Sequence, residues 1–330
     1  MIKTPRVDVM PFKGREVKII PTGERPKINP ELAAHNEAIW APKKEKGYFN
    51  AWVPLVTSIG YTDEGSVDIG AGVMPFSDTV GFFEAVQNGE DYAPNSLNCL
   101  SVAVFPVTSD GHLFVSRRGE SMTYPGVWNI PGGYMNSMLF AGRERCSEDE
   151  FTEDPRLFDI KGQALLRLYN QEFENLPEGV VTLRENPSAL SFEYLRTHDG
   201  GMVPWEMEIG IVGDFHMTKD ELEQHINEYE VAKGQREHDS FQFVPVESLQ
   251  KLVKNQINLI GVDSTSYDRR DPERIFLLDW NLGELVGGAL KDITGEEVDE
   301  SVLGDLRSKG LSVNVCDSFP GITYPFPTSF

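Results

Sequence analysis

Two stretches of the chain carry residue types whose spacing could do chemistry. Leu113 to Arg118 reads as a strand with a basic end at Arg117 and Arg118, and Gly126-Val127-Trp128-Asn129-Ile130-Pro131-Gly132-Gly133 follows it. Pro fixes the approach to a turn and Gly supplies positive φ, so the backbone at Pro131-Gly132-Gly133 must turn tightly and come close to something. Ile160 to Glu174 reads as a helix, with Leu165, Leu168 and Tyr169 at helical spacing, and it carries Arg167, Gln171 and Glu172. Helix residues three or four apart share a face, so carboxylates placed that way converge on a hard divalent cation. Asp159 lies eight residues before Arg167. Glu206 and Glu208 alternate along a strand-like run and therefore face one way.

The elements that must position these residues follow from punctuation and periodicity. Asn29 can cap a helix that begins at Pro30 and runs to about Trp40, stopping before Pro42. From Lys46 to Val73 the pattern is strand-like, residues 80–88 read as a short helix, and the polar run from Asn88 to Asn98 marks a boundary. Strands are expected over 101–107 and 113–117 around a turn at Ser109-Asp110-Gly111. Residues 136–159 form an irregular acidic insert, Ser191 to Leu195 and Glu206 to Phe215 are strands, and Thr218 opens a capped helix. Phe241 to Val246 is a strand, with helices over about 247–254 and 274–290, and the tail from Thr294 is polar. The expected units are 1–98 as a smaller β-rich α+β domain, 99–290 as the main α/β domain with its insert at 136–159, and 291–330 as a tail.

Composition narrows the function. The 330 residues hold 52 acids against 30 bases, a net charge of −22, which would repel a nucleic-acid backbone but leaves room for a local basic pocket for a small anion. Cys99, Cys146 and Cys316 are far apart with no CxxC pair, which argues against a disulfide framework or a cysteine zinc site and for a reducing compartment. There is no N-terminal apolar run and no window of membrane-spanning length, so a soluble cytoplasmic protein without membrane partners is expected. For single tryptophans such as Trp52 and Trp128, core packing is the default, with stacking on a base as the functional reading.

The Leu113–Arg118 strand, the Gly126–Gly133 stretch and the Arg167-containing helix together resemble the Nudix hydrolase motif. The layout is similar to the UDP-sugar pyrophosphatase branch of that superfamily. Further echoes are Asn29-Pro30-Glu31-Leu32 with Trp40, Tyr48-Phe49-Asn50, Gln171-Glu172 before Leu176-Pro177, Glu206 to Ile211, and Glu237-His238-Asp239-Ser240 before Phe241 to Val244. The resemblance implies an α/β/α sandwich with a mixed sheet, behind an N-terminal β-rich domain. It implies a Mg²⁺- or Mn²⁺-dependent hydrolase of a nucleoside diphosphate linked to another group, such as UDP-glucose, releasing a nucleoside monophosphate and a sugar phosphate. Glu172 and Glu237 would be catalytic, and Glu172, Gln171 and Asp159 would hold metal. Arg117, Arg118, Trp128, Gly132 and Gly133 would bind substrate, and Arg167 would pair with Asp159 to brace the loop.

The chain departs from the motif at two of its three metal positions, which are Leu168 and Gln171. Leu cannot coordinate, and Gln offers only a neutral oxygen. A second register, Gly142 with Glu148 and Arg156, is interrupted by Pro155. The acids of the insert could replace the missing ligands, although charge runs are usually solvated loops. The alternative reading is therefore a catalytically impaired Nudix-fold protein that binds a nucleotide or nucleotide sugar as a sensor or regulator. A structural subunit with a vestigial pocket is a third. Tyr324 to Ser329 is expected to pack as an extended tail, and a neighbouring subunit of a homo-oligomer could receive it.

Overall fold

A computed structural model describes residues 6–25, 28, 30–45, 48–62, 65–87, 98–118, 128–173, 175–196, 202–233, 238–259, 279–309 and 311–316. The calls on Asn29, Gly126, Val127, Glu237, residues 88–97 and 274–278, and the aromatic tail lie outside the described residues.

The described strands form one mixed 13-stranded sheet. They are β1 (Arg6–Pro11), β2 (Val17–Pro21), β3 (Trp52–Tyr61), β4 (Val67–Pro75), β5 (Cys99–Val107), β6 (His112–Arg118), β7 (Trp128–Asn129), β8 (Gly132–Tyr134), β9 (Val181–Leu183), β10 (Ala189–Arg196), β11 (Met202–Phe215), β12 (His238–Pro245) and β13 (Ser312–Val315). Its main path runs β13-β1-β10-β11-β5-β3-β4-β2, with β6, β7, β8, β9 and β12 attached beside it. The helices are α1 (Pro30–Glu45), α2 (Phe76–Gln87), α3 (Met138–Ala141), α4 (Ile160–Arg167), α5 (Lys219–Lys233), α6 (Leu249–Leu259), α7 (Asp279–Glu284), α8 (Leu290–Thr294) and α9 (Glu300–Ser308). The architecture is α/β with a large mixed sheet, and among the described residues no helix is long and apolar enough to cross a membrane.

At the centre, β5 and β11 pair in parallel from Cys99↔Glu206 to Val107↔Asp214. The near-continuous apolar run of β5 is what a parallel strand buried on both faces requires. Leu100, Val102, Met207 and Ile209 point to one core, where Ile160, Ala164 and Leu168 cover them. Ala103, Phe105 and Val212 point to the other, under Leu249, Leu282, Leu285 and Leu306.

The sheet crosses both expected unit boundaries. β1 pairs with β10 and with β13, and β3 joins β5 at Leu55↔Cys99. The polar tail contains α9 and β13, which the sequence pattern did not indicate. Asp8 on β1 accepts hydrogen bonds from Tyr194 (2.9 Å) and Asn314 Nδ2 (2.7 Å), so one buried carboxylate clips three strands together. Burial alone would raise its pKa, but hydrogen bonds from Arg6, Asn314 and Tyr194 outweigh that and hold it below the usual value. α1 continues through Pro42 to Glu45, because a proline in the last turn removes only one helical hydrogen bond. The insert is also ordered: Phe151, Leu157 and Phe158 pack with Trp52 and Val73 of the N-terminal segment.

Between α7 and α8 the helix passes through a π-type turn at Leu285–Ala289 and lies very close to β1. A Cβ on Gly287 would overlap Val9, whereas one on Gly304 in α9 meets nothing within 4 Å. The two glycines should therefore respond oppositely to alanine. Gly287→Ala should cost about 1–3 kcal/mol through overpacking. Gly304→Ala should stabilise by up to about 1 kcal/mol through helix propensity. Urea unfolding midpoints of the two variants check both signs.

Candidate functional site

The Pro-Gly-Gly turn is held on every side. Asn129 Oδ1 accepts from Ser116 Oγ at 3.1 Å, and Asn129 Nδ2 donates to the Ile130 carbonyl at 3.1 Å. The Ile130 amide donates to Asn281 Oδ1 of α7 at 3.0 Å. Val104 N donates to the Pro131 carbonyl at 2.8 Å, which lays the turn along β5. Gly133 has φ +147°, and a Cβ there would lie 3.0 Å from Arg167 Nη1, so the guanidinium occupies the space a side chain would fill.

Arg167 docks α4 onto this turn. It is only 7% exposed, donates through Nη2 to the Tyr134 carbonyl, and donates through Nη1 to Gln171 Oε1 at 2.7 Å. It thus ties helix to turn through Tyr134 and Gln171. Asp159, the expected partner, is exposed at the start of α4, with its carboxylate over Gly162.

The expected metal positions are not brought to one point. α4 gives way to a π-type turn at Leu168–Glu172. Leu168 is completely buried, in the core against β5 and β11. The Gln171 amide oxygen is engaged by Arg167. Asp159 and Glu172 sit at opposite ends of this helical segment, about 20 Å apart at 1.5 Å rise per residue. Among the described residues no group of three or more His, Cys, Asp or Glu side chains is arranged to hold a metal ion. The residues expected to bind Mg²⁺ therefore do not fit it. The acids of the insert pair locally, Glu148 with Arg145 at 3.2 Å and Asp154 with Arg156 at 2.6 Å, as a solvated loop would.

A different set of carboxyls gathers beside the turn. Glu206 and Glu208 of β11 face the second core, opposite Glu193 and Ser191 of β10 in register. Glu284 of α7 comes down onto them; a Cβ on Gly210 would lie 3.3 Å from its carboxyl carbon, so Gly210 makes its room. Glu208 is 3% exposed and Glu284 not at all. Glu208 accepts from Ser101 Oγ (3.4 Å) and Asn281 Nδ2 (3.5 Å), and Glu284 Oε1 accepts from Ser191 Oγ (3.2 Å).

Burial and mutual repulsion govern these acids. Loss of hydration, then the neighbouring charge of Glu206, pushes Glu208 up to about 8. Burial, then Glu208, pushes Glu284 well above the ordinary carboxylate range. Glu206 is half-buried and also raised, by burial, although Ser101 and Tyr134 donate to it and Arg118 and Arg167 oppose the rise. Two guanidiniums from separate elements thus act on one carboxyl beside the turn.

The expected substrate-binding residues divide. Gly132 and Gly133 lie along β5 with Arg167 over Gly133, Arg167 and Arg118 both act on Glu206, and Arg118 Nε is buried with no hydrogen-bond partner among the described residues. Arg117 lies on β6 opposite Trp128. Trp128 is 2% exposed and packs in the second core, so the indole is not presented for stacking on a base. Trp52 is likewise packed, beneath Arg25 at 4.8 Å. Sequence reasoning missed Asn281 and Glu284. Their one signal is a polar pair within an otherwise apolar and glycine-rich run, Trp280 to Leu290.

No protein-family model matches the chain, and no curated protein matches it. Among solved structures, a Nudix hydrolase from M. smegmatis, RenU, is similar at 11% identity and a TM-score of 0.24, over 47% of this chain and 73% of that one. A likeness of that size carries no argument about fold or activity.

The burial of Leu168 makes a direct prediction. Restoring an acid there, Leu168→Glu, should cost about 3–5 kcal/mol by removing core packing and burying a carboxyl. Leu168→Met should cost less than about 1.5 kcal/mol. Thermal unfolding of the two variants tests this.

Proposed function

We propose that the chain binds a nucleoside diphosphate linked to a second group, with nucleotide sugars such as UDP-glucose as the class, in a Nudix-type α/β arrangement. The observation that carries this reading is the seat of Arg167 on Gly133, with Arg118 acting on the same carboxyl beside the Pro-Gly-Gly turn. Guanidinium groups and a close-approaching backbone suit a pyrophosphate, because charge-assisted hydrogen bonds are strong. The loss of Leu168 to the core and of Gln171 to Arg167 favours binding over cleavage.

A second reading, cleavage of the same compounds to a nucleoside monophosphate and a sugar phosphate, is favoured by Glu206. A partly exposed carboxyl whose proton affinity is raised by burial is suited to accept a proton from water. Both readings are tested on UDP-glucose, other nucleotide sugars, ADP-ribose and NADH, each with Mg²⁺, with Mn²⁺ and with EDTA. Thermal stabilisation without product, weakened about tenfold or more in Arg118→Met, is the expected result. Release of nucleoside monophosphate that stops in Glu206→Gln or Glu172→Gln would establish the second reading. Neither stabilisation nor product from any compound would overturn both.

A further inference from the structure

We propose that Glu284 is a proton-holding positioning residue. It carries a proton that it donates to Glu208, and the pair fixes α7, and through Asn281 the Pro-Gly-Gly turn, in the arrangement that receives an anion beside Arg118 and Arg167. The anion-binding part rests on the function proposed above; the proton does not.

The geometry calls for a donor between the two carboxyls. Among the described residues Glu284 Oε2 is buried with no hydrogen-bond donor, while Oε1 accepts from Ser191. Its carboxyl lies within hydrogen-bonding reach of Glu208, which already accepts from Ser101 and Asn281. Two carboxylates in contact would leave two buried charges facing each other. One proton on Glu284 Oε2 turns that contact into a hydrogen bond and satisfies the orphaned oxygen.

The same helix carries both consequences. Asn281 donates to Glu208 and accepts from the Ile130 amide, so the carboxyl pair and the turn share one bridging side chain. α7 cannot relax away cheaply, because Gly283 and Gly287 pack directly on Val7 and Val9 of β1.

Charged groups from four elements surround the pair. From β11 it meets Glu206, and from β10 Glu193 stands on the same face in register with Glu206. Arg167 from α4 acts on Glu208, and Arg118 from β6 acts on Glu206. From β1, Val7 and Val9 pack against Gly283 and Gly287 of this helical run.

The sign of the pH effect follows. Glu208, at about 8, and Glu284 both have folded-state pKa values above the unfolded value, so their contribution to stability is complete below about 4.5 and is lost as pH rises toward the folded values. Urea unfolding of the full chain from pH 5 to 9 should show this loss in the wild type. In Glu284→Gln the amide keeps a donor toward Glu208 without a titrating proton. Its unfolding equilibrium constant should therefore rise about tenfold less per pH unit than that of the wild type between pH 5 and 8. Hydrogen exchange at the Ile130 amide should accelerate beyond the intrinsic rate as the pair ionises in the wild type, and not in Glu284→Gln.

Equal slopes and equal Ile130 protection in the two proteins would overturn the proposal. If Glu284→Gln does not fold, the infrared spectrum of the wild type in D₂O decides. A protonated-carboxyl band at pH 7 that diminishes in Glu208→Gln is expected, and no such band overturns the proposal. Calorimetric titration with inorganic pyrophosphate should show affinity falling over the same pH range in the wild type alone. No pyrophosphate affinity at any pH, with the stability difference intact, upholds the proton on Glu284 and defeats the binding reading.

Discussion

The parallel pairing of β5 with β11 governs the rest of the molecule. Where they pair, both strands are covered on both faces, and the side chains from Leu100 to Phe105 and from Met207 to Val212 are buried. Odd positions of β11 meet α4 across Met207 and Ile209. Its even positions, Glu206 and Glu208, are delivered to the face covered by α7. Placing two acids on a doubly covered strand forces the surroundings to supply donors, opposite charge or a proton. Ser101, Tyr134, Arg118 and Arg167 supply the first two around Glu206.

The helix on the first face has a different task. Arg167 projects from α4 to the Pro-Gly-Gly turn and fills the space above Gly133, so helix, turn and central strand form one rigid unit. The resemblance implied a brace between Arg167 and Asp159, whereas Arg167 pairs with Tyr134 and Gln171. The π-type turn that follows carries Leu168 into the core. The chemistry implied for that helix is thereby displaced, and the acids nearest the turn come from β11 and α7 instead.

Much of the local structure was legible in the amino-acid order. The β5–β6 hairpin, the glycine turn, the start of α4, and the shared direction of Glu206 and Glu208 follow from patterns of two or three and a half residues and from Pro and Gly. The ordering of the insert was not legible. Phe151, Leu157 and Phe158 gain their burial from Trp52 and Val73, which stand far away in the chain. The polar tail likewise concealed β13, because its pairing partner is β1 at the other end of the described chain.

The sequence by itself determined which elements form, that the chain is an α/β protein, and that a basic strand end precedes a tight glycine turn. These depend on side-chain periodicity and backbone conformational preference, which act over a few residues. Only the tertiary structure decided that Leu168 points inward, that Trp128 is a core residue, and that Glu284 rests on Glu208. Those outcomes depend on which distant surface covers each face, and on glycines such as Gly210 and Gly287 that let two backbones approach closely enough for a carboxyl to lose its water.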